Sequence, residues 1–302
     1  WRMAFAFNLA VGLVFLALVF PSVPPGGAAE STAPLPLWRL AFAGGGILLV
    51  SAAATAGAML AIALVAAALL LLLAAYRRDR RSTSAILPPT AFRWNDMIGA
   101  GLWVILLMPV AGATSAVYLV LLLQQMWGYG PAMAGAVAAV LALAWSTAAI
   151  AVANVSDSAR RMRLIILGPI MLTLGLAGVL AGLLSGQIVL VLLAQIAVGA
   201  SYGMSNSSLY VVLMGASGAS ERDRVAALVP TAQSAGNAIG AALAGLAANL
   251  AGYASASTAA DFARAIVPVF AVGAGMAMLS VLAAVRMTQL MTSTPAVEVA
   301  EG

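Results

Sequence analysis

Long apolar runs, broken at intervals by short clusters of arginine, proline, glycine and serine, set the pattern of this chain. A helix needs about 20 apolar residues to cross some 30 Å of hydrocarbon. On that measure the runs predict nine spans: Ala4–Phe20, Leu40–Thr55, Gly57–Ala75, Met97–Leu123, Ala132–Ala153, Leu164–Leu184, Ile188–Met214, Val225–Leu250 and Ala265–Val285. The second and third come from one uncharged run, Leu40–Ala75, which as a single helix would be about 54 Å long at 1.5 Å per residue. That exceeds one crossing, so the run predicts a tight turn near Thr55-Ala56-Gly57 and a hairpin of two short helices.

The positions of the arginines agree with this topology. If the spans alternate, Arg39, Arg77, Arg78, Arg80, Arg81, Arg93, Arg160, Arg161, Arg163, Arg222, Arg224 and Arg286 fall on one side, and only Arg2 and Arg264 on the other. The positive-inside rule places the larger group in the cytoplasm, the start of the chain outside and the C-terminus inside.

Composition narrows the function classes. Hydrophobic residues make up 64% of the 302 residues and charged residues 8%, and the mean hydropathy is +1.07. A soluble domain carries about 25% charged residues, so the composition fits a polytopic membrane protein instead. There is no cysteine, histidine or lysine, and all fourteen basic residues are arginine. This leaves no thiol nucleophile, Ser-His triad, ordinary zinc site, Schiff base or Walker A lysine. An enzyme is therefore not expected, nor any cofactor or metal. The formal charge of +5 sits in the inter-span loops, which speaks for a bilayer and against nucleic acid.

The linkers divide the chain further. Residues 1–20 read as the last helix of an otherwise missing N-terminal bundle, because the chain starts at Trp1 and runs from outside to inside without a signal peptide. The N-terminal half of the same protein is then the expected partner. Residues 21–37 form a Pro/Gly/Ala-rich flexible linker, residues 38–75 the hairpin, and residues 76–96 a basic cytoplasmic loop. Residues 97–286 form a six-helix bundle and 287–302 a cytoplasmic tail.

All nine acidic residues lie in loops, helix ends or the tail, so the chain offers no carboxylate at mid-membrane. Uncharged polar groups remain as candidate chemistry. Gln195, Gly199, Tyr202, Asn206 and Tyr210 share one helical face, Gln233 and Asn237 are four apart, and Thr114 and Tyr118 share a face with Trp103 further along. Pro109 is expected to kink the helix between them. Trp103, Thr114, Tyr118, Tyr202, Asn206, Gln233 and Asn237 can line a cavity for a large apolar or cationic solute, or bond across helices as bundle glue. The pairs Gly199/Gly203 and Gly236/Gly240 are small-xxx-small faces suited to close helix packing.

Three stretches carry a family resemblance. Trp1-Arg2 with Phe5, Phe7 and Asn8 resembles the WRW-x-F-x-I-N start of the sixth helix in the fourteen-helix drug/proton antiporter branch of the major facilitator superfamily. Tyr118 to Pro131, with Gln124, Gln125, Gly128, Gly130 and then Gly135, is similar to its Y-L-Q-x-x-x-G-x-S-P-x-x-A-G segment. Ala232-Gln233 through Gly236, Gly240 and Ala242 resembles its R-Q-L-G-G-A-I-G-x-A run. That branch inserts two helices between its halves, which matches the hairpin. Residues 153–161 resemble a degenerate copy of its G-x-x-x-D-x-x-G-R-R loop, keeping Asp157 and Arg161. By that likeness the two residues help latch a cytoplasmic gate; the alternative is a solvated loop with positive-inside arginines.

The expectation is therefore an all-α polytopic helix bundle of a bacterial inner membrane, the C-terminal portion of a secondary active transporter. The resemblance implies proton-coupled efflux of drugs or other amphipathic small molecules by alternating access. Two alternatives stand beside it: export of a physiological metabolite on the same fold, and a truncated membrane protein that transports nothing.

Overall fold

Local chemistry sets the helix ends. Asp96 opens one helix by accepting from the backbone N–H groups of Ile98 and Gly99 at 2.9 and 3.1 Å, and Asp157 opens another by accepting from Arg160 N–H at 2.9 Å. Such caps satisfy donors that have no partner within the helix. Pro131 stands in the first turn of a third helix, where its missing N–H costs nothing. Gly128 and Gly186 close two helices at φ 66° and 69°, left-handed values that a side chain resists.

A computed structural model describes residues 2–22, 37–53, 56–82, 85, 87–218 and 221–293. Among these, nine α-helices occur: α1 Arg2–Val19, α2 Leu37–Ala53, α3 Ala58–Arg80, α4 Met97–Trp127, α5 Pro131–Val152, α6 Ser158–Ser185, α7 Ile188–Ala216, α8 Arg222–Leu250 and α9 Ala259–Ser293. No strand occurs among the described residues. The chain separates into two units, Trp1–Leu35, which holds α1, and Pro36–Gly302, which holds the other eight helices. Most of the predicted linker, residues 23–36, and the end of the tail lie outside the described residues.

Among the described residues, six helices are long and apolar enough to cross a membrane: those covering Met59–Arg80, Met97–Trp127, Pro131–Val152, Ser158–Ser185, Ile188–Ala216 and Ala259–Thr292. The described apolar parts of α1 and α2 are shorter. α8 falls outside this set despite its 29 residues, because Thr231, Gln233, Ser234 and Asn237 dilute its apolar stretch.

The helices also run past the predicted span ends. α3 continues beyond Ala75 through Arg77, Arg78 and Arg80, α6 begins at Ser158 rather than Leu164, and α9 extends from Ala259 to Ser293 rather than from Ala265 to Val285. The first residues assigned to the basic loop and to the tail are therefore helical. Hydropathy marks where a helix leaves the hydrocarbon, but arginine is itself a good helix former and lets the backbone continue. α4 likewise runs unbroken through Pro109.

Within the second unit, α4 is the central helix. It packs on α9, α8, α5, α6 and α7, and most of its length is buried. α6 and α7 form the most extensive pair, with α5 on the other side of α7. The hairpin docks on α8: Val50, Ala68 and Ala242 form a small apolar cluster, and Asn249 Nδ2 donates to the Ala56 carbonyl at 3.1 Å.

The ends of the bundle are tied separately. At the arginine-rich end, Tyr76 donates to the Ala91 carbonyl at 3.1 Å and Arg286 Nη2 to Asn95 Oδ1 at 2.8 Å. At the opposite end, Tyr253 donates to Gln125 Oε1 at 2.7 Å, while its ring meets Tyr118 and Phe262 edge-on, each at 5.3 Å. Burial pushes the Tyr253 phenol above its ordinary pKa, with Tyr118 adding to the shift. It therefore remains a protonated donor to Gln125.

Candidate functional site

The glycine pairs bring helices together backbone to backbone. Added Cβ atoms at Gly199 and Gly203 would meet α5: the first the Leu141 carbonyl and Ala144 Cβ, the second the Trp145 carbonyl, Ala149 N and Ala148 Cβ. On α8, a Cβ at Gly236 would meet the Leu106 carbonyl and Pro109, and one at Gly240 would lie 2.7 Å from Val110 Cα and 2.8 Å from Ala113 Cβ. A third set escaped the sequence reading. Gly168, Gly175 and Gly182 recur at seven-residue spacing on α6, where added Cβ atoms would meet Ser205, Val198 and Val191 of α7. Glycine every two turns was a usable signal, since 3.6 residues per turn keeps such positions on nearly one face.

Tyr202 bridges two helices. Its hydroxyl donates to the Met108 carbonyl at 2.8 Å, one residue before Pro109, and its ring stacks on Trp145 at 5.0 Å and 22°. A Cβ at Gly112 would meet the same hydroxyl, with the ring Cζ at 3.1 Å, so the α4 surface there must be bare. Nearby, Ser115 Oγ donates to the buried Gln195 Oε1 at 3.1 Å, a second polar link between α4 and α7. Trp145 was not legible as a partner because the likeness between stacked rings on different helices leaves no spacing in the sequence.

The other α4 candidates also face protein. Trp103 Nε1–H donates to the Phe92 carbonyl at 2.9 Å, and its ring meets Phe92 edge-on at 5.3 Å. Phe92 has φ 57°, a left-handed conformation that a bulky residue rarely adopts, and Trp103 supplies two contacts that hold it there. Thr114 is buried, bonds back to the Ala111 carbonyl at 2.8 Å and lies where a Cβ on Gly273 of α9 would fall. Tyr118 is buried in the Tyr253 cluster.

Three candidates differ. Asn206 is 8% exposed, yet its side chain makes no hydrogen bond among the described residues. Gln233 is half-buried and Asn237 exposed, and neither bonds across a helix there. Thr231, Ser234 and Asn237, at three-residue spacing, are all exposed and form a polar strip on α8; only Asn237 stood out in the sequence. Thr231 bonds back to the Ala227 carbonyl at 2.8 Å, whereas hydrocarbon would satisfy no hydrogen bond of Ser234 or Asn237.

The model of the Major Facilitator Superfamily matches residues 39–241. The chain belongs to the major facilitator superfamily. The match covers about two-thirds of the sequence, from the start of α2 into α8, and it makes this a membrane transporter. Among curated proteins, none matches the sequence significantly.

In this superfamily member Asp157 and Arg161 do not pair with each other. Asp157 caps α6 and lies 3.9 Å from Arg160 Nε, while Arg161 Nε donates to the Val155 carbonyl at 2.8 Å. Both side chains are thus engaged locally, at the start of α6. A cavity of about 140 Å³ lies beside Arg161, walled by Ala149, Val152, Ser207, Ser208 and Val211. A larger one, about 520 Å³, lies at the end of α3. None of the seven cavity candidates lines either space. No group of three or more acidic, cysteine or histidine side chains able to hold a metal occurs among the described residues.

Proposed function

We propose that this transporter is a proton-coupled exporter of cationic or amphipathic small molecules, of the fourteen-helix drug/proton antiporter branch. α4–α9 act as the C-terminal one of two bundles, the α2–α3 hairpin is the branch's insertion, and the arginine-rich end is cytoplasmic. Solute passes along α8, contacting Asn237, Gln233 and Ser234, with Asn206 of α7 as a further contact. The observation that carries this is the pair of exposed polar residues Ser234 and Asn237 on α8, one turn beyond Thr231, whose hydroxyl bonds back to the Ala227 carbonyl at 2.8 Å. Tyr202, Trp103, Thr114 and Tyr118 shape the bundle rather than touch solute.

Proton coupling rests on the resemblance alone. Asp79, Asp96, Asp157, Glu221, Asp223 and Asp261 all sit at helix ends or caps, so on this reading the carboxylate that takes the proton lies outside the described residues. An intramembrane carboxylate is costly unless it serves such a step.

The test is efflux of ethidium from energised cells making the intact protein. A protonophore should abolish efflux. Asn237→Ala should slow ethidium several-fold, roughly the effect of losing one polar contact of about 1 kcal/mol, with the amount of protein in the membrane unchanged. Efflux that survives the protonophore, or no efflux of any cationic dye tried, would contradict the coupled-export reading.

A further inference from the structure

We propose that the end of α3 binds an anionic phospholipid, with its phosphate held by Arg77, Arg80 and Arg81 and an acyl chain lying along Leu73 and Leu69. These arginines line the groove of about 520 Å³ together with Leu73 and Tyr76. None of the three guanidinium groups makes a hydrogen bond or ion pair among the described residues. By contrast, Arg161, Arg222, Arg264 and Arg286 bond to Val155, Met214, Asp261 and Asn95.

Among the described residues no carboxylate lines the groove. Asp79, on the same helix, is buried and accepts from Leu87 N–H at 2.8 Å. Arg80 lies over the Tyr76 ring at 5.8 Å, which orients one guanidinium without neutralising it. Arginine's planar fork matches phosphate oxygens two at a time.

Placement selects a lipid over a free anion. Residues 69, 73, 76 and 80 follow helical four- and three-residue steps and so form one stripe. Leu69 is 61% and Leu73 42% exposed, and both lie within the candidate span Met59–Arg80. The stripe thus passes from tail depth to headgroup depth, where basic clusters meet anionic lipid. Topology alone calls for charge at that end, but not for three guanidinium groups around one groove beside two exposed leucines.

The experiment is native mass spectrometry of the full chain in mixed micelles of phosphatidylglycerol and phosphatidylcholine. Wild type should retain phosphatidylglycerol. The triple variant Arg77→Gln, Arg80→Gln, Arg81→Gln should lose affinity by about fivefold per arginine, on the order of a hundredfold together. The triple variant Arg160→Gln, Arg163→Gln, Arg224→Gln removes the same charge elsewhere and should retain it.

A second measurement leaves the arginines in place, since their removal can disturb insertion. A benzophenone attached to Leu69→Cys should capture phosphatidylglycerol in preference to phosphatidylcholine, and millimolar inorganic phosphate should not prevent it. Equal losses in the two triple variants would overturn the proposal in favour of diffuse surface charge. Capture without headgroup preference, or full displacement by phosphate, would overturn the lipid assignment.

Discussion

Gly240→Leu is expected to leave little folded protein, while Gly275→Leu is expected to be tolerated. Both substitutions add the same apolar side chain to a helix of the same bundle. At Gly240 the new Cβ falls on the Val110 carbonyl and within 2.7 Å of Val110 Cα; at Gly275 nothing lies within 4 Å. The obstruction on α4 is backbone, which cannot rotate aside as a side chain does, so α4 and α8 must separate. Overpacking a core costs about 1–3 kcal/mol, and a rigid obstacle places this case at the upper end. Helix association in lipid depends on close van der Waals contact rather than on the hydrophobic effect, so the seam depends heavily on this close approach. Gly203→Leu should behave like Gly240→Leu, because Ala149 N and Ala148 Cβ stand at 2.7 and 2.8 Å. Size-exclusion profiles of the four proteins in detergent decide it; a monodisperse Gly240→Leu would mean that the α4–α8 contact is not the one described.

The second large effect concerns Tyr202. Tyr202→Ala should destabilise the bundle by about 3 kcal/mol, mainly through the void left between α4, α5 and α7. Tyr202→Phe removes only the bond to Met108, and interhelical hydrogen bonds in membranes average about 0.6 kcal/mol. Gly112→Ala should also be damaging, since its methyl would meet the Tyr202 hydroxyl. Tyr202→Phe should then partly rescue Gly112→Ala, because the offending oxygen is gone. Thermal melts of the two single variants and the double variant measure that coupling. Strict additivity would show that the two residues do not touch.

Hydropathy made much of the fold legible. Runs of twenty apolar residues admit few readings: each of the nine predicted spans contains a described helix, and six of those helices are long and apolar enough to cross a membrane. Helix ends were misjudged where arginine continues a helix beyond the hydrocarbon, as in α3. The gate pair illustrates a different limit. Spacing matched Asp157 and Arg161 to a motif, but an aspartate just before a helix is also a cap, and spacing alone did not show that Asp157 caps α6.

The candidate site was legible only in part. Helical spacing placed Gln195, Tyr202 and Asn206 on one face but could not say what each meets. Tyr202 meets a backbone carbonyl, which any residue type at 108 would supply, so no sequence pattern marks it. Asn237 and Gly236 are adjacent, and the glycine faces α4 while the asparagine is exposed. A turn of about 100° between neighbours separates a packing residue from a solute-facing one, and which is which depends on the position of α4.

Aqueous labelling of single cysteines on α8 tests the transport path most directly, because the chain contains no cysteine of its own. A thiol reacts as its thiolate, which does not form in hydrocarbon, and a charged maleimide does not enter lipid. Asn237→Cys and Ser234→Cys should therefore react readily in membranes and be slowed by bound ethidium. Leu143→Cys on α5, 68% exposed in wild type, should stay unlabelled. An Asn237→Cys as inert as Leu143→Cys would place α8 against lipid and contradict the account.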